Sequence, residues 1–266
     1  MGDSLILREN HGSVVLLVLN RPARRNSLSR GLVAALGDAL TEIGVDLSVR
    51  AVVLTGSGES FCTGMDLKEA EESGDRDENE SRAIADLRGL ADLILQMHSM
   101  TQPTVAALNG DAYAGGAGLM AACDFVIASE GARIGYPEVK RGLVPAVIMN
   151  DLVRQVGDLR ARELLLRGDP ISVELAERWG LVNRVVKPSE CRQEAISLAR
   201  SLVRCGPRAL ETTKSLLEES GGRRTNLRGA AAVSASVMVS DEAREGIRSF
   251  LEKRPPSWAN EGEESP

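Results

Sequence analysis

Three short stretches of this chain hold the groups that chemistry would need. Phe61-Cys-Thr-Gly-Met65 and Tyr113-Ala-Gly-Gly116 are glycine-rich turns, each downstream of an apolar strand. Gly135-Tyr-Pro-Glu138 presents a single carboxylate in a turn stiffened by proline. Glycine lets a backbone approach a ligand closely, and the unpaired N–H groups at a helix start favour negative charge. If both turns open at one sheet edge, an N–H from each, Met65 and Gly115, converges on one oxygen. That arrangement is an oxyanion hole, which stabilises charge developing on a carbonyl. A carboxyl at Glu138, were it buried beside an apolar chain, would have a raised pKa and suit acid and base work.

These groups must be held by regular elements. Leu5 to Leu19 reads as two strands with a turn at Asn10 to Ser13, and Arg21-Pro22 ends the second. Ser29 is a candidate cap for a helix running to Ile43, with Leu32, Leu36, Ala39, Leu40 and Ile43 on one stripe. Ala51 to Thr55, Thr104 to Leu108 and Phe125 to Ala128 read as buried strands. Residues 69–82 are dense in charge and predict a mobile loop. Ala83 to Met100 predicts a long helix with Ile84, Leu87, Leu90, Ala91, Ile94 and Met97 on one face. The apolar run after Gly118 predicts a buried helix. Strand and helix alternate, which predicts an α/β fold with right-handed crossovers. A helix over Glu174 to Gly180 and a strand over Leu181 to Val186 follow, and then only helical patterns, with a frayed polar tail from Pro255.

Composition narrows the function classes. The chain has 266 residues, 43% of them hydrophobic, enough for a sizeable core. A net charge of -6 and only 3% aromatics argue against a nucleic-acid partner. The two histidines make a histidine-rich metal site improbable. Four cysteines without a C-x-x-C pair read as reduced thiols of a cytoplasmic protein. No segment reaches the roughly 18 apolar residues of a membrane span, and Val14 to Leu19 is a strand, not a signal peptide.

Five stretches recur in one order: Asn20-Arg-Pro-Ala-Arg-Arg-Asn-Ser-Leu28, Phe61 to Glu69, Asn109 to Asp124, Gly135 to Glu138, and Ala176-Glu-Arg-Trp-Gly-Leu-Val-Asn183. Phe250-Leu-Glu-Lys-Arg-Pro255 fits as well. Each is weak alone. In register they make the chain resemble the enoyl-CoA hydratase/isomerase (crotonase) family. The resemblance implies a spiral of ββα units over residues 1–188. It also implies a C-terminal helical region over 189–266 that builds a homotrimer or homohexamer. The implied substrate is an acyl-CoA thioester; no metal and no cofactor beyond that CoA is expected, and no membrane partner. The family's oxyanion amides fall on Met65 and Gly115. Backbone near Cys62 and Gly64 would meet the adenine, and Arg24 and Arg25 would lie near the CoA phosphates; Lys68 is a further phosphate candidate, set against a plain solvated lysine. Tyr113, Gly118 and Tyr136 are the acyl-pocket candidates.

The chain departs from the hydratase pattern at one place. Hydratases of the family use two glutamates; the first falls on Gly118 and the second on Glu138. With one carboxylate the simplest chemistry is a proton shuttle: Glu138 removes a proton, the dienolate is held by the two amides, and the same group returns the proton elsewhere. That is the isomerase pattern. Yet Gly135 to Pro145 also resembles family members that hydrate branched methylglutaconyl-type esters, so hydration and isomerisation both stand. Asp111 is a candidate replacement for the missing glutamate, and Gly118→Glu is expected to favour hydration.

Plainer roles are set beside these. Glu138 could be a surface ion-pair partner of Lys140 and Arg141. Asp66 reads as a helix cap, Asp124 as structural, and His98 as a surface residue at a helix end. Gly116-Ala-Gly118-Leu-Met-Ala121 matches a dinucleotide-binding G-x-G-x-x-A, with Glu138 20 residues after Gly118. The strand, however, ends at Leu108, too early for that tight turn. A non-catalytic binder of CoA esters is the remaining alternative.

Overall fold

A computed structural model describes residues 4–70, 76–220 and 241–258. Six strands make the larger sheet: β1 (Ile6–His11), β2 (Val14–Leu19), β3 (Ala51–Gly56), β5 (Thr104–Leu108), β7 (Phe125–Ser129) and β10 (Arg184–Val186). They lie side by side in that order. β1 and β2 form an antiparallel hairpin, and every other neighbour is parallel. Alternate residues face opposite sides of such a sheet. Val15, Leu17, Val52, Leu54, Ala106 and Leu108 belong to the main core. Val14, Leu16, Ala51, Val53, Val105 and Ala107 belong to a second apolar layer on the other side. Both faces are covered, which is why these strands read as unbroken apolar runs.

The main core is closed by α1 (Arg30–Val45), α3 (Arg76–Ser99) and α4 (Gly115–Ala121). Ser29 caps α1 as expected, its hydroxyl accepting from the Leu32 N–H at 3.1 Å. The second layer is closed by α8 (Cys191–Val203), through Cys191, Ala195, Ile196, Ala199 and Val203. The first helix of the expected C-terminal region therefore packs on the sheet. It is followed by α9 (Pro207–Ser220) and a last helix over Asp241–Glu252. Lys214 of α9 reaches inward to Asp124 at 2.8 Å, and Asp124 also accepts from the Thr104 N–H and hydroxyl. Asp124 is thus the structural residue the sequence suggested.

A second, smaller sheet runs β4 (Ser60–Cys62), β6 (Asp111–Tyr113), β8 (Arg133–Gly135) and β9 (Ile171–Ser172). β4, β6 and β8 are mutually parallel. Each follows a strand of the larger sheet, so the chain winds as a repeated strand–strand–helix turn. The segment between Leu108 and Gly115 contains β6, which the sequence pattern does not reveal. Residues 69–70 and 76–82 are also helical rather than loop. Glu and Arg favour helix. The rest of the loop expectation, residues 71–75, and the tail from residue 259 lie outside the described residues.

Candidate active site

The three carboxy ends of β4, β6 and β8 lead directly into the three stretches singled out by the sequence. β4 runs into Thr63-Gly-Met65, β6 into Ala114-Gly115, and β8 into Tyr136-Pro-Glu138. Parallel pairing puts these ends at one edge. A cavity of about 830 Å3 opens there, and Met65, Gly115 and Glu138 all line it.

The two amides are aimed by different devices. Leu28 N–H donates to Gly64 C=O at 2.8 Å, and Asp66 N–H donates to Leu28 C=O at 3.1 Å. Leu28 therefore bridges the residues flanking Met65, and the Met65 N–H faces away from Leu28. Gly115 opens α4, whose first N–H groups have no partner within the helix. Its orientation is set by Ala114, held at φ 51° and ψ -127°. Neither the Met65 nor the Gly115 N–H has an acceptor among the described residues. The two turns touch: a Cβ on Gly64 would lie 2.7 Å from Ala114 Cβ and 3.1 Å from Gly115 N. Only glycine at position 64, itself at φ 85°, permits that approach.

Glu138 starts a 3-10 turn, Glu138–Arg141, after Pro137. It is half-buried, and its Oε2 is buried without a hydrogen-bond partner among the described residues. Burial raises its pKa above the usual carboxylate value, and the nearby Arg141 charge offsets part of that rise. Glu138 makes no ion pair with Lys140, which pairs with Asp169 instead. The surface-pair alternative for Glu138 is therefore not what the fold builds.

The Asn20–Leu28 motif holds one wall. Asn26 is fully buried; its Oδ1 accepts from Arg21 N–H at 2.8 Å, and its Nδ2 donates to Ser57 and Ser60 carbonyls at 2.9 and 2.8 Å. This pins Arg25 on β4, where its Nε donates to Ser60 Oγ at 3.2 Å. Arg21 pairs with Asp66 at 2.9 Å. Burial pushes the Asp66 pKa up, but Arg21 and the Lys68 N–H hold it below the usual range. Asp66 also accepts from Lys68 N–H at 3.2 Å and so caps the short helix α2 (Leu67–Ala70), as expected.

The remaining candidates separate cleanly. Arg25, Asp111 and Tyr113 line the cavity. Asp111 is tied to Arg25 at 3.2 Å and accepts from the Arg133 N–H at 3.0 Å. It is an anchor for Arg25 rather than a free substitute acid. Tyr136 is fully buried among core side chains and does not line the cavity. Gly118 is buried one helical turn behind Gly115, under Ile148. Cys62 is buried, and burial pushes its thiol up to about 12, so it stays protonated. Arg24 and Lys68 are exposed and lie off the cavity wall. The sequence reading missed the opposite wall: Leu67, Arg30, Asp86, Leu87 and Leu90 on one side, Arg141 and Leu143 to Ile148 on the other. The α3 residues carried a signal, since Leu87 and Leu90 sit on its apolar stripe; Leu143 to Pro145 belong to the Gly135 to Pro145 stretch of family resemblance, while Ala146 to Ile148 carried none beyond being apolar.

The family model for Enoyl-CoA hydratase/isomerase matches residues 9–261. The chain belongs to the enoyl-CoA hydratase/isomerase family. A protein of Thermus thermophilus named Putative enoyl-CoA hydratase is 42% identical over 251 residues, 93% of this chain and 98% of its own. The Mevalonyl-coenzyme A hydratase of Aspergillus fumigatus is 35% identical, over 92% of this chain and 91% of its own. The crystal structure of enoyl-CoA hydratase from Bacillus anthracis superposes with a TM-score of 0.90 at 32% identity, covering 97% of this chain and 100% of that one. The α/β spiral is thus the crotonase fold, and the protein is an enzyme of this family. Among the described residues no helix is long and apolar enough to cross a membrane.

Proposed function

We propose that the protein acts on an enoyl-CoA through an enolate, with Glu138 as the single acid and base. One observation carries the reading: the buried, unpartnered Glu138 oxygen faces a cavity that also receives the unpaired N–H groups of Met65 and Gly115. The thioester oxygen sits between those amides, where preorganised donors stabilise it as charge develops. In hydration, Glu138 takes a proton from water as the water oxygen bonds to Cβ. Charge moves to the thioester oxygen, and the carboxyl returns the proton to Cα. The hydratase names of the relatives support this outcome, and the Gly135 to Pro145 segment supports a branched, methylglutaconyl-type acyl group.

Isomerisation is the second reading. Its support is the absence of a carboxylate at Gly118, whose space Ile148 fills. Glu138 then moves a proton between two carbons and no water is consumed. Neither reaction calls for a metal or a cofactor beyond the substrate's CoA. The Arg25 guanidinium at the cavity mouth is the group we assign to the CoA phosphates. Three buried free cysteines support a reducing, cytoplasmic setting. Exposed Leu159, Leu166 and Leu217 support assembly into a homotrimer or homohexamer, which sedimentation equilibrium tests directly.

The deciding experiment assays crotonyl-CoA, a 3-enoyl-CoA and 3-methylglutaconyl-CoA with wild type and Glu138→Gln. Glu138→Gln is expected to lose roughly 100-fold to 10,000-fold in kcat while still binding CoA esters. Undiminished turnover removes Glu138 from the mechanism. A fold that binds CoA esters but turns over none of the three is a binding protein.

A further inference from the structure

A second space opens between α1 and α3, beside the cavity already described. It has a volume of about 390 Å3, and Leu28, Val33, Ala34, Leu90 and Leu93 give it an apolar lining. Gly37 and Gly89 leave it room: a Cβ at position 89 would stand 3.7 Å from Val33 Cγ1 across the helix pair. Gln96 closes the far end, its Nε2 donating to the Gly37 carbonyl at 3.0 Å and to Thr41 Oγ1 at 2.8 Å. At the near end, Met65, Leu90, Arg30, Asp86 and Glu69 line both spaces. The charged groups of this junction are tied together: Arg30 pairs with Asp86 at 2.7 Å, and its N–H donates to the Glu69 carboxylate at 2.9 Å. Gly115 touches the same wall, since a Cβ there would meet Leu28 Cδ1 at 3.1 Å and Leu90 Cδ2 at 3.2 Å.

We propose that this groove receives the outer part of an unbranched acyl chain of medium length, so that α1 and α3 select substrates by chain length. This inference rests on the enoyl-CoA reading of the cavity and goes beyond it, because a short or branched acyl group fits the main cavity alone. Three placements favour this occupant. First, a thioester carbonyl held at the Gly115 N–H starts its acyl chain beside Leu90, which belongs to both spaces. Second, Ile148 fills the space over Gly118 behind that amide, so a longer chain is turned away from it and towards α3. Third, the lining of the groove is apolar, and Asp38 and Asp92 stand exposed at its rim. Methylenes gain by leaving water there, whereas an acyl group ending in a carboxylate would meet charges of its own sign. Arg30 to Gly37 spans about two turns of α1, roughly 10 Å, which is the reach of a medium-length alkyl chain.

Calorimetric titration with two saturated thioesters, butyryl-CoA and octanoyl-CoA, reads binding without any turnover. Wild type is expected to bind octanoyl-CoA about tenfold more tightly, or better. Gly89→Leu and Ala34→Leu each put a side chain into the groove, from different helices. Both should bring octanoyl-CoA down to the affinity of butyryl-CoA and leave butyryl-CoA unchanged. Leucine is a better helix former than glycine, Ala34 is exposed, and circular dichroism checks that both variants fold. Gln96→Ala should open the far end and tighten the binding of dodecanoyl-CoA. Equal wild-type affinities overturn the proposal, and so does an octanoyl preference that survives both blocking variants. A loss shared equally by both thioesters and free CoA overturns it as well, since the variants would then have disturbed the CoA site. Should Ala34→Leu change the sedimenting mass and leave both affinities unmoved, the groove is a contact between copies of the chain and the proposal fails. If neither thioester binds wild type, the enoyl-CoA reading itself falls and takes this inference with it.

Discussion

Ile148 sits directly on Gly118: a Cβ at position 118 would lie 2.3 Å from Ile148 Cγ2 and 2.8 Å from Ile148 Cβ. Real side chains do not approach so closely, so the missing first glutamate has also lost its room. The simple expectation that Gly118→Glu restores hydration does not survive this packing. The single substitution overpacks the space between α4 and the start of α5 (Met149–Val156), at a cost of about 1–3 kcal/mol. Thermal denaturation should show a lower Tm, with no gain in crotonyl-CoA hydration. The pair Gly118→Glu with Ile148→Ala should recover stability and raise hydration relative to isomerisation. A gain in hydration by the single variant would show that Ile148 gives way easily.

With Glu138 as the proposed base, the acidic limb of activity should follow the ionisation of its carboxyl. Burial raises its pKa, and its deprotonated form is the base, so kcat/KM should climb as pH rises through a value above the roughly 4.3 of a free glutamate. The Arg141 charge lowers that pKa. Arg141→Leu should therefore move the limb to higher pH, since the carboxylate loses a neighbouring cation. The check is a pH series of kcat/KM on one neutral enoyl-CoA with both proteins. A limb displaced to lower pH in the variant would contradict the geometry.

Ala114 holds a conformation that its methyl group disfavours, φ 51° and ψ -127°. Its N–H donates to the Gly135 carbonyl at 2.9 Å, and its carbonyl accepts from the Gly118 N–H at 3.0 Å. The surroundings thus hold the strained turn that aims the Gly115 N–H into the cavity. Ala114→Gly relieves strain of about 1–3 kcal/mol, against which the looser unfolded chain takes back about 0.4–1 kcal/mol. The variant should be more stable in urea by about 1 kcal/mol. It should also turn over several-fold more slowly with little change in KM, because the donor is less firmly placed. Unchanged kcat would mean that the strain has no part in aiming the amide.

Much of this was legible in the chain, for reasons tied to particular residues. Val14 to Leu19 and Ala51 to Gly56 are buried on both faces, and that shows as apolar runs. Ser29 and Asp66 are short polar side chains at helix starts, where capping is a local matter. Gly64, Gly115 and Glu138 stood out because tight turns demand particular residue types. The strands that carry those turns did not stand out. β4, β6 and β8 have three residues each, too few for an alternation to register. Tyr136 looked like a pocket residue because it adjoins Glu138, but its side chain is fully buried in the core and not on the cavity wall. Asp111 looked like an available acid because its partners, Arg25 and the Arg133 N–H, are remote in sequence. Arg141 and Ile148 acquire meaning only from what they face across the cavity.

His98 ties the end of α3 to α5, and the contact is pH-sensitive. Its Nε2 lies 3.1 Å from Asp151 Oδ2 of α5, in a half-buried cluster that also holds Arg154 and, from α9, Glu218. The Asp151 carboxylate raises the His98 pKa, against the opposing effect of burial. The folded value therefore lies above the unfolded value of about 6.5. Stability gained from the charged histidine is fully present below that unfolded value and is lost as pH rises through the folded one. His98→Gln should accordingly destabilise the protein more at pH 6 than at pH 9. Urea denaturation of both proteins at the two pH values measures the difference. An equal loss at both, or a larger loss at pH 9, would show that the imidazole is held neutral and that packing alone fixes α5 against α3.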